Sequence, residues 1–157
     1  LLFLFSTLFH SLIFTKAKKV FQVFDHDSIF LLIAGSYTPY CLLSVRGWLG
    51  WTLFGAIWAM AIGGIVYKSL TLHKKETVSK ISTAIYIFMG WLCLAAGPSL
   101  YASLGSVGFW LLVAGGVSYT LGAVIYSIKT IPFNHVIWHL FVMLGAGFMY
   151  FSILLYT

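Results

Sequence analysis

Two histidines four residues apart, His135 and His139 in Asn134-His135-Val136-Ile137-Trp138-His139, open an apolar run that reaches Tyr156 without an Asp, Glu, Lys or Arg. At that spacing both imidazoles lie on one face of a helix. The run is long enough to cross a bilayer, and ionisable groups placed at membrane depth are functional candidates by default. An i,i+4 histidine pair can chelate one ion from a single helix, and a third imidazole with an open fourth position is the pattern of catalytic zinc. Bound water there falls to a pKa near ~7, which supplies a nucleophile at neutral pH. The blander chemistry for the same pair is hydrogen bonding between helices. Haem is disfavoured, because axial ligation needs histidines facing each other from different helices.

Whatever joins the pair must come from another helix. His10 is the other histidine embedded in an apolar segment, and Ser6 precedes it by one turn on the same face. His10 stands six positions before Lys16, and His135 and His139 stand six and ten after Lys129. At 1.5 Å per residue those counts put the three imidazoles ~9, ~9 and ~15 Å from the lysines, in one layer. Asp25 sits at the same edge, just before the second apolar helix. The expected site therefore has His10, His135 and His139 as metal ligands. Asp25 would orient or deprotonate water, and Ser6 would donate to the metal site or to a developing oxyanion. His26 and Asp27 read as helix-start residues with capping or interfacial roles. His73, beside Lys74 and Lys75, reads as a solvated loop residue.

The elements that must carry these groups follow from composition. The chain is 61% hydrophobic and 8% charged, far from the roughly 25% charged of ordinary soluble domains. Its apolar stretches run the length of bilayer crossings instead of alternating as strands would. The fold class is all-α: a polytopic transmembrane helix bundle, one domain over residues 1–157, with helices expected at Leu1–Thr15, Ser28–Val45, Trp48–Lys68, Ile81–Gly97, Val107–Ile128 and Phe133–Tyr156. The first is shorter than the ~20 residues a span needs, so the N-terminus reads as truncated. Turns are expected at Arg46-Gly47 and Pro98-Ser99 on one side, and over Thr15–Asp27, Ser69–Lys80 and Lys129–Pro132 on the other. Gly35 and Pro39 permit a kink in the second helix.

Lys16, Lys18, Lys19, Lys68, Lys74, Lys75, Lys80 and Lys129 fall on one side and Arg46 alone on the opposite side. By the positive-inside rule the lysine loops are expected in the cytoplasm and the C-terminus outside. The lysines need no nucleic-acid partner, since topology and anionic headgroups account for them. Gly55-x3-Ala59-x3-Gly63 and the set Gly115, Ser118 and Gly122 read as close helix contacts. Cys41 and Cys93 lie in apolar segments without metal-type spacing and read as packing residues.

Four blocks keep their order along the chain: Ser6-x3-His10; Asp25-His26 followed by Ile29-Phe30-Leu31-Leu32-Ile33-Ala34-Gly35-Ser36-Tyr37-Thr38-Pro39; Arg46-Gly47-x-x-Gly50-Trp51; and His135-Val136-Ile137-Trp138-His139-Leu140-Phe141. Together they resemble the hemolysin III family, which belongs with the progestin and adipoQ receptors and, more distantly, with the alkaline ceramidases. The resemblance implies a seven-helix fold with a cytoplasmic N-terminus, of which six helices are represented here. It also implies a zinc site on His10, His135 and His139 with Ser6 and Asp25 close by. Asp27 departs from the small residue usual at that place. The expected function is that of a bacterial-type inner-membrane protein whose zinc site hydrolyses an amide or ester bond of a membrane lipid; the family name also implies cytolysis. The alternative is a receptor or regulator of the progestin and adipoQ type with structural zinc. A pore-former comes third, because these helices carry few polar stripes for a channel lining.

Overall fold

A computed structural model of the chain describes residues 1–71, 80–128 and 130–157. His73, Lys74, Lys75 and Lys129 lie outside the described residues. Those described form six α-helices: α1 (Leu2–Ser11), α2 (Lys18–Pro39), α3 (Gly47–Thr71), α4 (Lys80–Trp91), α5 (Gly97–Ser127) and α6 (Asn134–Tyr156). The stretches Gly47–Leu70, Ser82–Ser127 and Asn134–Tyr156 are long and apolar enough to cross a membrane. Large apolar side chains cover the outside, among them Trp48, Trp51, Phe88, Trp110, Phe133 and Leu155. So much outward apolar surface is stable only where hydrocarbon solvates it.

The largest departure from the sequence reading lies between α1 and α2. Helix α1 stops at Ser11, with Thr15 Oγ1 donating to the Leu12 carbonyl at 2.8 Å in the turn that follows. Helix α2 then starts at Lys18, ten residues before the expected Ser28. The acidic residues mislead because they look like a cap. In fact Val20, Phe21, Val23 and Phe24 carry the helical run through to Asp25, and the carboxylates have partners inside the bundle. Asp25, His26 and Asp27 are thus interior residues of α2, 7%, 8% and 6% exposed, and the capping role expected for His26 and Asp27 is wrong. Counting depth for His10 along a regular helix to Lys16 is wrong for the same reason, since the chain is not helical there.

Pro39 is the last residue of α2, but the helical path runs on past it. Lacking an N–H, it is followed by a wider π-helical turn over Tyr40–Ser44, stitched to the bundle by the Tyr40 hydroxyl, which donates to the Met149 carbonyl at 3.3 Å. Arg46 and Gly47 make the expected turn with φ of 38° and 72°. Pro98 sits in the first turn of α5, where its missing N–H costs nothing, instead of in a turn of its own. The link from α4 into α5 is a 3-10 segment, Leu92–Ala96, and the helical path breaks at Gly105, whose φ of 67° suits glycine.

Helices α5 and α6 pack most extensively, while α1 packs on α2 and α2 on α3. Phe30, Ile57, Met89, Leu100 and Val142 have almost no exposed surface. A smaller apolar cluster, Leu2, Ala123, Trp138 and Val142, ties α1 to α5 and α6. Close approach depends on particular glycines. A Cβ at Gly50 would lie 2.3 Å from the Cys41 carbonyl oxygen, one at Gly64 2.3 Å from the Phe30 ring, and one at Gly122 2.8 Å from Phe141 Cβ. The second expected contact set is therefore real at Gly115, Ser118 and Gly122, which are buried toward α6. The first is not. Gly55, Ala59 and Gly63 are exposed, and a Cβ at Gly55 or Gly63 meets nothing within 4 Å among the described residues. Lys68, expected as the last residue of its helix at the lysine-rich side, is 4% exposed inside the bundle.

Neighbouring glycines give an internal control. Gly50→Ala and Gly64→Ala should each destabilise by about 1–3 kcal/mol through overpacking, whereas Gly55→Ala and Gly63→Ala should leave stability unchanged. Thermal unfolding of the detergent-solubilised variants, followed by loss of the monodisperse species, measures this; equal melting of Gly63→Ala and Gly64→Ala would contradict the packing described.

Candidate functional site

Residue geometry at one end of the bundle is set by three helices. Ser6 and His10 share a face of α1 near its C-terminus, Asp25 and His26 come from the first half of α2, and His135 and His139 come from the first turns of α6. Phe133, with φ of 56°, turns the chain into α6. Asn134 Nδ2 donates to the Tyr126 and Ile128 carbonyls at 3.3 Å each, at the C-terminal end of α5 and just beyond it. That contact fixes the start of α6 against the end of α5, and with it the position of His135.

The three imidazoles expected from sequence meet through their Nε2 atoms: His10 to His135 at 2.9 Å and His135 to His139 at 3.1 Å. Ser6 Oγ lies 3.0 Å from His139 Nε2, and the Ser6 hydroxyl also faces the Asp25 carboxylate. All five sequence-derived site residues are therefore brought together. Ser6 and Asp25 are buried, His135 and His139 half-buried, and His10 exposed, so the cluster opens on the His10 side.

The arrangement has more acceptors than hydrogen bonding can use. A neutral imidazole offers either one proton or one lone pair at Nε2. His135 Nε2 has two imidazole neighbours, and His139 Nε2 has His135 and Ser6. Not every one of these contacts can be a good hydrogen bond at once, whereas three converging lone pairs suit a small cation. In this conformation no group of three or more His, Cys, Asp or Glu side chains among the described residues is spaced as a metal centre. The nitrogens touch, whereas tetrahedral zinc with Zn–N near ~2.05 Å holds its ligands about 3.3 Å apart. Holding an ion asks the rings to part by a few tenths of an ångström. His139 Nδ1 is buried without a hydrogen-bond partner among the described residues, so the outer partner that usually orients a ligating histidine is missing there.

Sequence reasoning missed several neighbours of the site. A small pocket is lined by Leu2, Asp25, His26, Ile29, Tyr126, His135, Trp138 and His139. The Tyr126 ring lies 5.5 Å from the His135 ring and 5.8 Å from Trp138, and the Phe3 ring lies 6.0 Å from His139. His26 faces the pocket from inside α2, not from a helix cap. Lys68 was also missed, although a signal existed: it continues the buried stripe Leu53, Ile57 and Ala61 of α3 at helical spacing, with the half-buried Gly64 between.

Comparison with known proteins agrees with this architecture. The family model described as Haemolysin-III related matches residues 1–150. The chain is 49% identical over 157 residues to Hemolysin-3 of Bacillus cereus, covering 100% of the chain and 70% of that protein. It is 45% identical over 156 residues to a Hemolysin-3 homolog of Bacillus subtilis (strain 168), covering 99% and 72%. A human protein, monocyte to macrophage differentiation factor, is 35% identical over 160 residues, with 97% of the chain and 64% of that protein covered. No solved structure matches the chain. An all-α bundle with membrane-crossing helices, the ordered motifs of α1, α2 and α6, and a family match over nearly the whole length lead to one conclusion: the chain belongs to the hemolysin III family of integral membrane proteins.

Proposed function

We propose that the protein is a zinc-dependent hydrolase of an amide or ester bond in a membrane lipid. The observation that carries this reading is the convergence of the His10, His135 and His139 Nε2 atoms beside the Ser6 hydroxyl and the Asp25 carboxylate. His10, His135 and His139 would hold the metal, which supplies Lewis acidity and a water activated near neutral pH. The residues of the chain do the rest. Asp25 takes the proton of the attacking water and returns it to the departing amine or alcohol, so that water and lipid become a carboxylic acid and that free amine or alcohol. Ser6 stands between His139 and Asp25. Its hydroxyl donates to the carboxylate, or to the oxyanion that develops as the carbonyl is attacked. The apolar pocket wall of Leu2, Ile29 and Trp138 keeps bulk water from that side.

The lysine-bearing connections would face the cytoplasm, from the excess of lysine on that side over the single Arg46, with the protein in a bacterial inner membrane. The site would then lie in the cytoplasmic half, near headgroup depth, where the bond joining headgroup to chains is found. A receptor with structural zinc is the reading against which the hydrolase is tested.

Purified protein should hold about one zinc per chain, and His10→Ala, His135→Ala and His139→Ala should each lower that occupancy, measured by atomic emission on desalted protein. Full occupancy in all three variants would remove the site. Asp25→Asn should keep the metal yet slow lipid turnover by roughly 10²-fold or more, because an amide cannot accept the proton and general-base assistance is typically worth 10²–10⁴. Absence of turnover in zinc-loaded wild type across lipid amides and esters would favour the receptor. For topology, a cysteine placed at Arg46 should react with a membrane-impermeant reagent added outside intact cells and one placed at Lys19 should not; the reverse pattern would invert the orientation.

A further inference from the structure

Polar groups on α2 divide between two neighbours. Asp25 turns to α1 and Ser6. Asp27, roughly 200° further round the helix, turns to α3, where Ser69 Oγ donates to its Oδ2 at 2.9 Å. The Lys68 ammonium lies near enough to attract the same carboxylate, and it donates to Ser82 Oγ of α4 at 3.5 Å. Asp27 and Lys68 are 6% and 4% exposed. Neither is required to hold an ion or to move a proton in the proposed reaction. A buried carboxylate and ammonium are costly unless they face each other and their remaining hydrogen-bonding capacity is used. They are therefore an expensive feature with no part in the chemistry as described.

Their placement gives them one. Tyr37, donating to the Gly90 carbonyl at 2.7 Å, and Thr38, accepting from Trp58 Nε1 at 3.2 Å, orient the far end of α2; in the half that carries Asp25, the bond from Ser69 to Asp27 is a directional restraint on the helix's rotation. A carboxylate about 5 Å from the helix axis moves ~2 Å when the helix turns by ~20°, and displacements of that size are costly in catalysis. We propose that the hydrogen bond from Ser69 to Asp27, with the Lys68 ammonium attracted to the same carboxylate, is a clamp that fixes the rotation of α2 about its axis and thereby aims Asp25 at Ser6 and the histidines. Asp27 and Lys68 are positioning residues acting through Asp25. The consequence for rate rests on the hydrolase reading; the aim of position 25 does not.

The aim can be read without turnover. In a background with the free cysteines Cys41 and Cys93 replaced by alanine, Ser6→Cys and Asp25→Cys are paired, and the yield of a short thiol cross-linker is measured in membranes. Asp27→Ala should lower the yield at least about fivefold, and Asp27→Glu should restore most of it. The double variant Asp27→Ala/Lys68→Met removes the carboxylate and the ammonium together and so limits the cost to the fold, and it should show the same loss. Cross-linking at the starting level in that double variant, with the protein monodisperse, would overturn the clamp. With Ser6 and Asp25 intact, Asp27→Ala should lower kcat at unchanged zinc content and add nothing to the loss already caused by Asp25→Asn; independent, multiplying losses would overturn it as well. If no lipid is turned over while cross-linking still responds to Asp27, the hydrolase reading fails and the clamp stands.

Discussion

Three consecutive polar residues in the interior of α2, Asp25, His26 and Asp27, set the terms for the rest of the molecule. In hydrocarbon an unpartnered polar side chain costs several kcal/mol. Any bundle that buries this triplet must therefore bring polar groups to more than one side of one helix. Helix α1 supplies Ser6 on one side and α3 supplies Ser69 and Lys68 on the other. That demand fixes which helices neighbour α2, and through α1 it carries His10 to the pair on α6. The histidine cluster is in this sense downstream of the requirement to bury α2.

Apolar packing plays a complementary part. Most of the outer surface is large and apolar, so burial from water does not hold the helices together once they lie in lipid. Close approach does, and it is concentrated where glycines face neighbours: Gly50 against the π-helical turn, Gly64 against Phe30, and Gly115 and Gly122 against α6. The contact of α5 with α6 carries the site directly. It places Tyr126 and the Asn134 hydrogen bonds beside His135. A rigid pair on one side and a polar clamp on the other hold a cluster whose third member, His10, is at the exposed end of a ten-residue helix. The exposed member leaves the cluster open to whatever binds there.

Much of this was legible in the chain. Low charge and long apolar runs determined a membrane helix bundle, because the other structure that satisfies the backbone in hydrocarbon, a closed barrel, needs strands that alternate apolar with polar residues. The i,i+4 spacing of His135 and His139 and of Ser6 and His10 determined which side chains share a face, since helical periodicity is local. What the sequence could not settle was partnership across helices. Asp25 to Asp27 read as a helix start because a carboxylate is ordinarily kept from the interior, and only the presence of Ser6, Ser69 and Lys68 around α2 makes burial affordable. Lys68 read as the end of a helix at the lysine-rich side, although it continues a buried stripe, for the same reason. Two stripes of small residues look alike in sequence, yet among the described residues one faces a neighbouring helix and the other does not. Whether a face is met by another helix depends on how the whole bundle closes, and that was decided by the tertiary structure.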